Sequence, residues 1–177
     1  VHDGATAGGR SSIQMYSSGF SYVFPTPVSS TPTITWDGAS VTETIIRNTS
    51  QSATDYFGTE VAIQPVTEPE YLVAGAPGLD NYGSAVVFYY SGGSWTQQAK
   101  LQQSDTGTGD LSGHSVDIDA SGTYVISGNP YDETETSGFN YSNLNYGAAY
   151  IFLRDGTSWS QQQKLTPADR GAGDFFG

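Results

Sequence analysis

Ser94-Trp95-Thr96-Gln97-Gln98-Ala99-Lys100-Leu101 returns later in the chain as Ser158-Trp159-Ser160-Gln161-Gln162-Gln163-Lys164-Leu165. A tryptophan, paired glutamines and a lysine recurring in one order mark an internal repeat. A repeat of this size normally completes its core by stacking on copies of itself. The same blocks flank both copies. Asp55-Tyr56-Phe57-Gly58 reappears as Asp110-Leu111-Ser112-Gly113 and again as Asp174-Phe175-Phe176-Gly177. Tyr71-Leu72-Val73-Ala74-Gly75-Ala76-Pro77 corresponds to Tyr124-Val125-Ile126-Ser127-Gly128-Asn129-Pro130, and Gly83-Ser84-Ala85-Val86-Val87-Phe88 to Gly147-Ala148-Ala149-Tyr150-Ile151-Phe152.

Ala85 to Tyr90 and Ala148 to Leu153 are short, β-branched and aromatic, and turn residues bound them, so they read as interior strands buried on both faces. The opening stretch alternates. Trp95, Gln97, Ala99 and Leu101 are expected on one side and Thr96, Gln98 and Lys100 on the other, as an outer strand whose lysine discourages edge pairing. Ser91-Gly92-Gly93-Ser94 and Asp155-Gly156-Thr157-Ser158 supply the tight hairpins between these strands. Adding Glu60 to Gln64 and Tyr71 to Gly75 predicts an all-β chain of four-stranded antiparallel blades of a β-propeller, with about two complete units.

The expected division is an extended arm or linker at 1–32, the end of a degenerate preceding blade at 33–54, blades at 55–109 and 110–173, and the start of another at 174–177. Within 33–54, Thr33 to Trp36 and Val41 to Ile46 repeat the hairpin pattern around Asp37 to Ser40. Propellers close at roughly 4 to 8 blades. The chain is therefore expected either to be part of a longer polypeptide or to receive blades from neighbouring chains. Its first residues, Val1-His2-Asp3-Gly4, read as a processed or trimmed start.

Tyr56-Phe57-Gly58 followed by Val73-Ala74-Gly75-Ala76-Pro77 resembles the FG-GAP repeat of integrin α-chain propellers and many secreted bacterial proteins, over about residues 55–177. The second unit departs from that pattern at Leu111-Ser112-Gly113 and Gly128-Asn129-Pro130, which weakens its inner packing without altering its strand layout. The resemblance implies an extracellular, secreted or particle-surface propeller used in adhesion. It also raises calcium, which integrin-type units often hold in loops of alternating acidic oxygens. The nearest stretch here offers Asp117, Asp119 and Ser121 with a turning Gly122, but Thr123, Tyr124 and Val125 follow where a further carboxylate is wanted. The motif glycines and prolines read as structural: Pro77 and Pro130 end strands, and Gly75 and Gly128 permit close backbone approach.

Eighteen acidic against 6 basic side chains give a net charge of -12, which repels nucleic acid and anionic membranes. No apolar run approaches the roughly 18 residues of a membrane span. With 36% hydrophobic residues the chain can furnish a core, and with no cysteine it has neither disulfides nor thiolate metal sites. Histidines are limited to His2 and His114, and no nucleophile elbow or paired-histidine motif is present, so no catalytic set emerges and no enzyme is expected.

The main candidate surface is the insertion between Pro130 and Gly147, far longer than its counterpart between Pro77 and Gly83. Loops beyond about 12 residues are uncommon and often functional. Tyr131, Asp132, Glu133, Asn140, Tyr141, Asn143 and Tyr146 combine aromatic faces with amide and carboxylate groups suited to a glycan or protein. Asn48-Thr49-Ser50 and Asn140-Tyr141-Ser142 are glycosylation sequons that matter only in a glycosylating secretory route. The expected role is a noncatalytic module for adhesion or protein and glycan interaction. The alternatives are a structural subunit of a virion, fibre or filament that meets copies of itself or neighbouring blades, and an accessory domain of a carbohydrate-active enzyme.

Overall fold

The computed structural model describes residues 45–49, 52–66, 68–133 and 144–177, together with the backbone of 33–36 and 39–42. A hairpin of β1 (Thr33–Trp36) and β2 (Ala39–Thr42) comes first. Trp36 pairs with Ala39, so the return strand starts before the expected Val41. Two four-stranded sheets follow. The first holds β3 (Val61–Ile63), β4 (Tyr71–Ala76), β5 (Ser84–Ser91) and β6 (Ser94–Leu101); the second holds β7 (Ser115–Ile118), β8 (Tyr124–Asn129), β9 (Ala148–Asp155) and β10 (Ser158–Leu165). Each sheet pairs its strands in chain order and antiparallel, the make-up of a propeller blade. Apart from a 3-10 turn at Leu79–Asn81, the described residues contain no helix.

Alternation along β4 and β5 sorts side chains between two cores. Tyr71, Val73, Ala85, Val87 and Leu101 meet Val116, Ile118, Val125, Tyr150 and Phe152 of the second blade, filling the space between the blades. Leu72, Ala74, Val86 and Phe88 face the other way, onto Ile46, Leu79 and Phe57, with the Phe57 ring edge-on to Phe88 at 5.8 Å. Burying one valine or phenylalanine contributes about 1.5–3 kcal/mol, against roughly 1 kcal/mol for a hydrogen bond, so stacking dominates the stability of the pair.

One expectation about β6 needs correction. Val87 pairs with Ala99 but the next residue, Phe88, pairs with Gln97, leaving Gln98 as the extra residue of a β-bulge. The same bulge falls at Gln162, between the Phe152–Gln161 and Ile151–Gln163 pairs. A one-residue slip exchanges faces. Trp95 therefore packs with the Phe88 core, while Ala99 and Leu101 join the core between the blades.

This geometry gives several polar residues of the repeated stretch a partner. The Trp159 indole N–H donates to Gln98, the bulged residue of the preceding blade, at 2.9 Å. Gln97 accepts the Thr49 amide at 2.9 Å, and Gln161 accepts the Ser104 amide at 2.8 Å. The lysines, expected to guard an edge, are held in ion pairs: Lys100 pairs with Asp80 of its own blade, and Lys164 with Asp132 of its own blade and Asp105 of the loop that leaves the first. The octapeptide recurs because it fastens neighbouring blades together.

Candidate functional site

The junction between blades is built around one aspartate per unit. Asp55, Asp110 and Asp174 accept the amides of Ser52, Gly107 and Gly171, at 2.7, 2.5 and 2.5 Å, and each returns its own N–H to the carbonyl of that residue at 3.2 Å. The tight turn throws the next residue into the left-handed region: Tyr56 has φ 51, Leu111 φ 58 and Phe175 φ 50. That conformation is costly for bulky side chains and persists because the surroundings impose it. The unit start then clips onto the blade before it. Ser112 N–H donates to Tyr82 O at 2.9 Å, and Phe176 N–H to Tyr146 O at 3.2 Å. Beside the first clip, a Cβ on Gly75 would overlap the Gly113 carbonyl oxygen; beside the second, one on Gly128 would sit 2.5 Å from Gly177 C. The close approach expected of these glycines is present in both units.

Next to the Asp110 turn lies a polar cluster that sequence reasoning did not anticipate. Asp132, 2% exposed, hangs from the stem of the insertion. Lys164 Nζ on β10 lies 2.9 Å from Asp132 Oδ1, 2.9 Å from Asp132 Oδ2 and 2.8 Å from Asp105 Oδ2. The Tyr150 hydroxyl on β9 donates to Asp132 and lies 2.9 Å from Asp105 Oδ1. Burial first, and then the two carboxylates, push the Tyr150 phenol well above its ordinary value, so it stays a donor. Partial burial opposes ionisation of Asp105, but hydrogen bonds from Lys164 and Tyr150 and the lysine's charge outweigh it and hold the carboxyl below its usual range. Asp110 goes the other way: burial raises its pKa and the Asp132 charge adds to the rise, against hydrogen bonds from Gly107 and Gln103.

The repeat itself carried a signal for this cluster. At buried positions the second copy is the more polar one, with Asn129 for Ala76, Tyr150 for Val86 and Ser112 for Phe57. Polar replacements inside a stacked core must find one another or remain unsatisfied.

The expected contact residues divide. Asp132 is a correction, since it is enclosed by Lys164 and Tyr150 rather than presented to a ligand. Tyr131 is exposed and stacks edge-on with Phe175 at 5.3 Å; Tyr146 carries Arg170 over its ring at 5.2 Å. Glu133 is half-buried at the end of the described stem. Asn140, Tyr141 and Asn143 lie outside the described residues, as does everything in 1–32. Of the sequons, Asn140 is outside and Asn48 is buried, which leaves no room for a glycan on the folded protein at Asn48.

The calcium candidate is a turn. Asp119 Oδ1 accepts the amides of Thr123 at 2.7 Å and Tyr124 at 2.8 Å, while Oδ2 accepts the Ser121 amide at 3.2 Å and the Ser121 hydroxyl. Burial opposes ionisation of Asp119, but these hydrogen bonds prevail and hold its pKa below the ordinary value. Asp117 Oδ1 accepts the Ile118 amide at 2.8 Å. Oxygens committed to amides do not make the six to eight ligands calcium takes, and among the described residues no group of three or more acidic or histidine side chains could hold a metal. The residues form a strand cap.

Residues 95–152 match the family model described as FG-GAP repeat. The two four-stranded antiparallel sheets have the make-up of β-propeller blades, and the matched span covers the outer strand of the first and three strands of the second. No curated protein matches the chain. Among the described residues no helix is long and apolar enough to cross a membrane.

Proposed function

We propose that this FG-GAP segment is a noncatalytic, extracellular or particle-surface module that binds a protein or glycan at the rim carrying the insertion. One observation carries the reading. Tyr131 and Phe175, 38% and 45% exposed, form an aromatic pair at the base of the insertion, next to the Tyr146–Arg170 stack. Exposed aromatic faces beside polar groups suit sugar rings and protein hot spots. Carboxylates already engaged within the chain support the noncatalytic part: Asp55, Asp110 and Asp119 cap turns, and Asp132 is held by Lys164 and Tyr150. The test is a glycan array, followed by surface plasmon resonance on any hit, with Tyr131→Ser and Phe175→Ser as variants. Binding lost in both variants supports the proposal. Binding unchanged in both sinks it.

A second reading, the assembly subunit, has its own observation. Tyr71 and Val73 are 6% and 0% exposed beneath the second blade, whereas their repeat equivalents Tyr124 and Ile126 are 49% and 39% exposed. A face that is core in one copy and open in the other can receive a further blade, whether of the same polypeptide or of a second chain. Light scattering discriminates: ordered oligomers that vanish in Ile126→Asp favour assembly, and a monomer at all concentrations favours the adhesive module.

A further inference from the structure

The cluster at Lys164 has more in it than an ion pair requires. Nζ is equidistant from the two Asp132 oxygens, at 2.9 Å from each. A nitrogen so placed is shared between both oxygens and lies on the order of 3 Å from the carboxyl carbon, close enough to reach it by turning out of the carboxylate plane. A second carboxylate, Asp105, touches the same nitrogen at 2.8 Å. A hydroxyl that stays protonated, Tyr150, donates to the Asp132 carboxylate. Nucleophile, electrophile, proton carrier and oxyanion donor are thus assembled around one buried carboxyl.

We infer that Lys164 and Asp132 condense into an intramolecular amide cross-link. The Lys164 ammonium passes a proton through Asp105 to Asp132, leaving an amine beside a neutral carboxylic acid, and the amine attacks Asp132 Cγ. Charge on the resulting oxygen is met by the Tyr150 O–H. Asp105 takes the second amine proton and gives it to the departing Asp132 hydroxyl, which leaves as water as the amide forms. Atoms and charge balance: one ammonium and one carboxylate become one amide and one water, with Asp105 a carboxylate before and after. No oxidant, cofactor or partner is needed. The product replaces a desolvated ion pair, which is expensive to bury, with a neutral group. It ties the stem of the insertion to the outer strand β10. This inference stands apart from the binding role proposed above.

Blade one contains the control. Lys100 sits opposite Val86 as Lys164 sits opposite Tyr150, so the two lysines occupy the same register. Lys100 meets Asp80 in an exposed pair, with valine where the second blade has its phenol. It has neither the burial nor the donor, and it remains an ordinary lysine.

Intact-mass spectrometry of the full chain, followed by tandem analysis of a tryptic digest, decides the matter. The expected result is a mass one water below that of the sequence, a branched peptide joining Asp132 to Lys164, and cleavage after Lys100 but not after Lys164. Lys164→Arg and Asp132→Ala regain the full mass. Asp132→Asn forms the same product by losing ammonia, and Asp105→Ala slows its appearance. An unreduced mass in the wild-type chain with trypsin cutting after Lys164 overturns the inference, whatever the variants do. So does a water loss that persists in Lys164→Arg, which would place it at another residue.

Discussion

Gly75→Ala tests the idea that the motif glycine exists for the junction between blades. The added methyl would overlap the Gly113 carbonyl oxygen and lie 3.1 Å from its carbon, both rigid backbone atoms of the next unit's clip. One side has to yield. Moving β4 strains Gly75 N–H to Glu60 O at 2.8 Å and Gly58 N–H to Gly75 O at 2.7 Å; moving the clip strains Gly113 N–H to Gly128 O at 3.0 Å and Ser112 N–H to Tyr82 O at 2.9 Å. Two hydrogen bonds at about 1 kcal/mol each, added to about 1–3 kcal/mol of overpacking, give a loss of about 3–5 kcal/mol. For a chain of this size that lowers the melting temperature by about 6–20 °C. The control is Gly92→Ala in the β5–β6 turn, where φ is 59 and nothing lies within 4 Å of the added methyl. Its cost is left-handed strain alone, about 1–2 kcal/mol. Differential scanning calorimetry of both variants reads the difference. If Gly75→Ala melts no lower than Gly92→Ala, the backbone contact between units is not what the glycine serves.

The two lysines should differ sharply. Lys164→Met leaves Asp132 buried with neither cation nor cross-link and costs at least about 3–5 kcal/mol, whereas Lys100→Met removes an exposed pair worth about 0–1 kcal/mol; urea titration measures both. Opposite signs are expected for two neighbouring aspartates. In the ion-paired form that precedes any cross-link, Asp105 has a lowered folded pKa, so its stabilisation is complete above the ordinary value of 3.8 and fades as pH falls through the folded one. Asp110 has a raised folded pKa, so its contribution is best at low pH and is lost as pH rises through that value. At pH 7 Asp105→Asn should lower the urea midpoint and Asp110→Asn should leave it unchanged or raise it, both effects shrinking towards pH 3. Ser112 is buried with no hydrogen-bond partner for its Oγ among the described residues. Ser112→Ala should therefore raise stability by about 1 kcal/mol in the same titration.

Strand layout was legible because each strand pairs with its sequence neighbour, so local alternation and turn glycines carried enough information. The β-bulge was not. Gln98 looks like any alternating residue, and only the paired register with β5 shows that it is extra. The Lys164 cluster was hidden for a related reason. Asp105, Asp132, Tyr150 and Lys164 come from an inter-blade loop, an insertion stem and two strands, so no window of sequence contains them together. Asp132 in particular read as a loop carboxylate among loop carboxylates. What distinguishes it is the phenol and lysine that the β9–β10 register sets opposite each other.

The span that matches the FG-GAP repeat, 95–152, does not coincide with a blade. It begins on β6, runs through the connecting loop, and ends on β9, so it takes the outer strand of one blade and three strands of the next. What recurs in the sequence is therefore a junction. The span contains Gln98, which receives the next tryptophan, Ser104, which is gripped by the next glutamine, and Gly113, whose carbonyl fills the space left open at Gly75. Each contact joins residues of different blades, so a single blade cut at its sheet boundaries loses half of every pair. Change at one junction then passes to the other side of it: Tyr150 and Lys164 in the second blade meet Asp105 from the loop that leaves the first. Specialisation of this protein should accordingly be sought where copies differ at a junction, as at Val86 and Tyr150, rather than along the open faces of its blades.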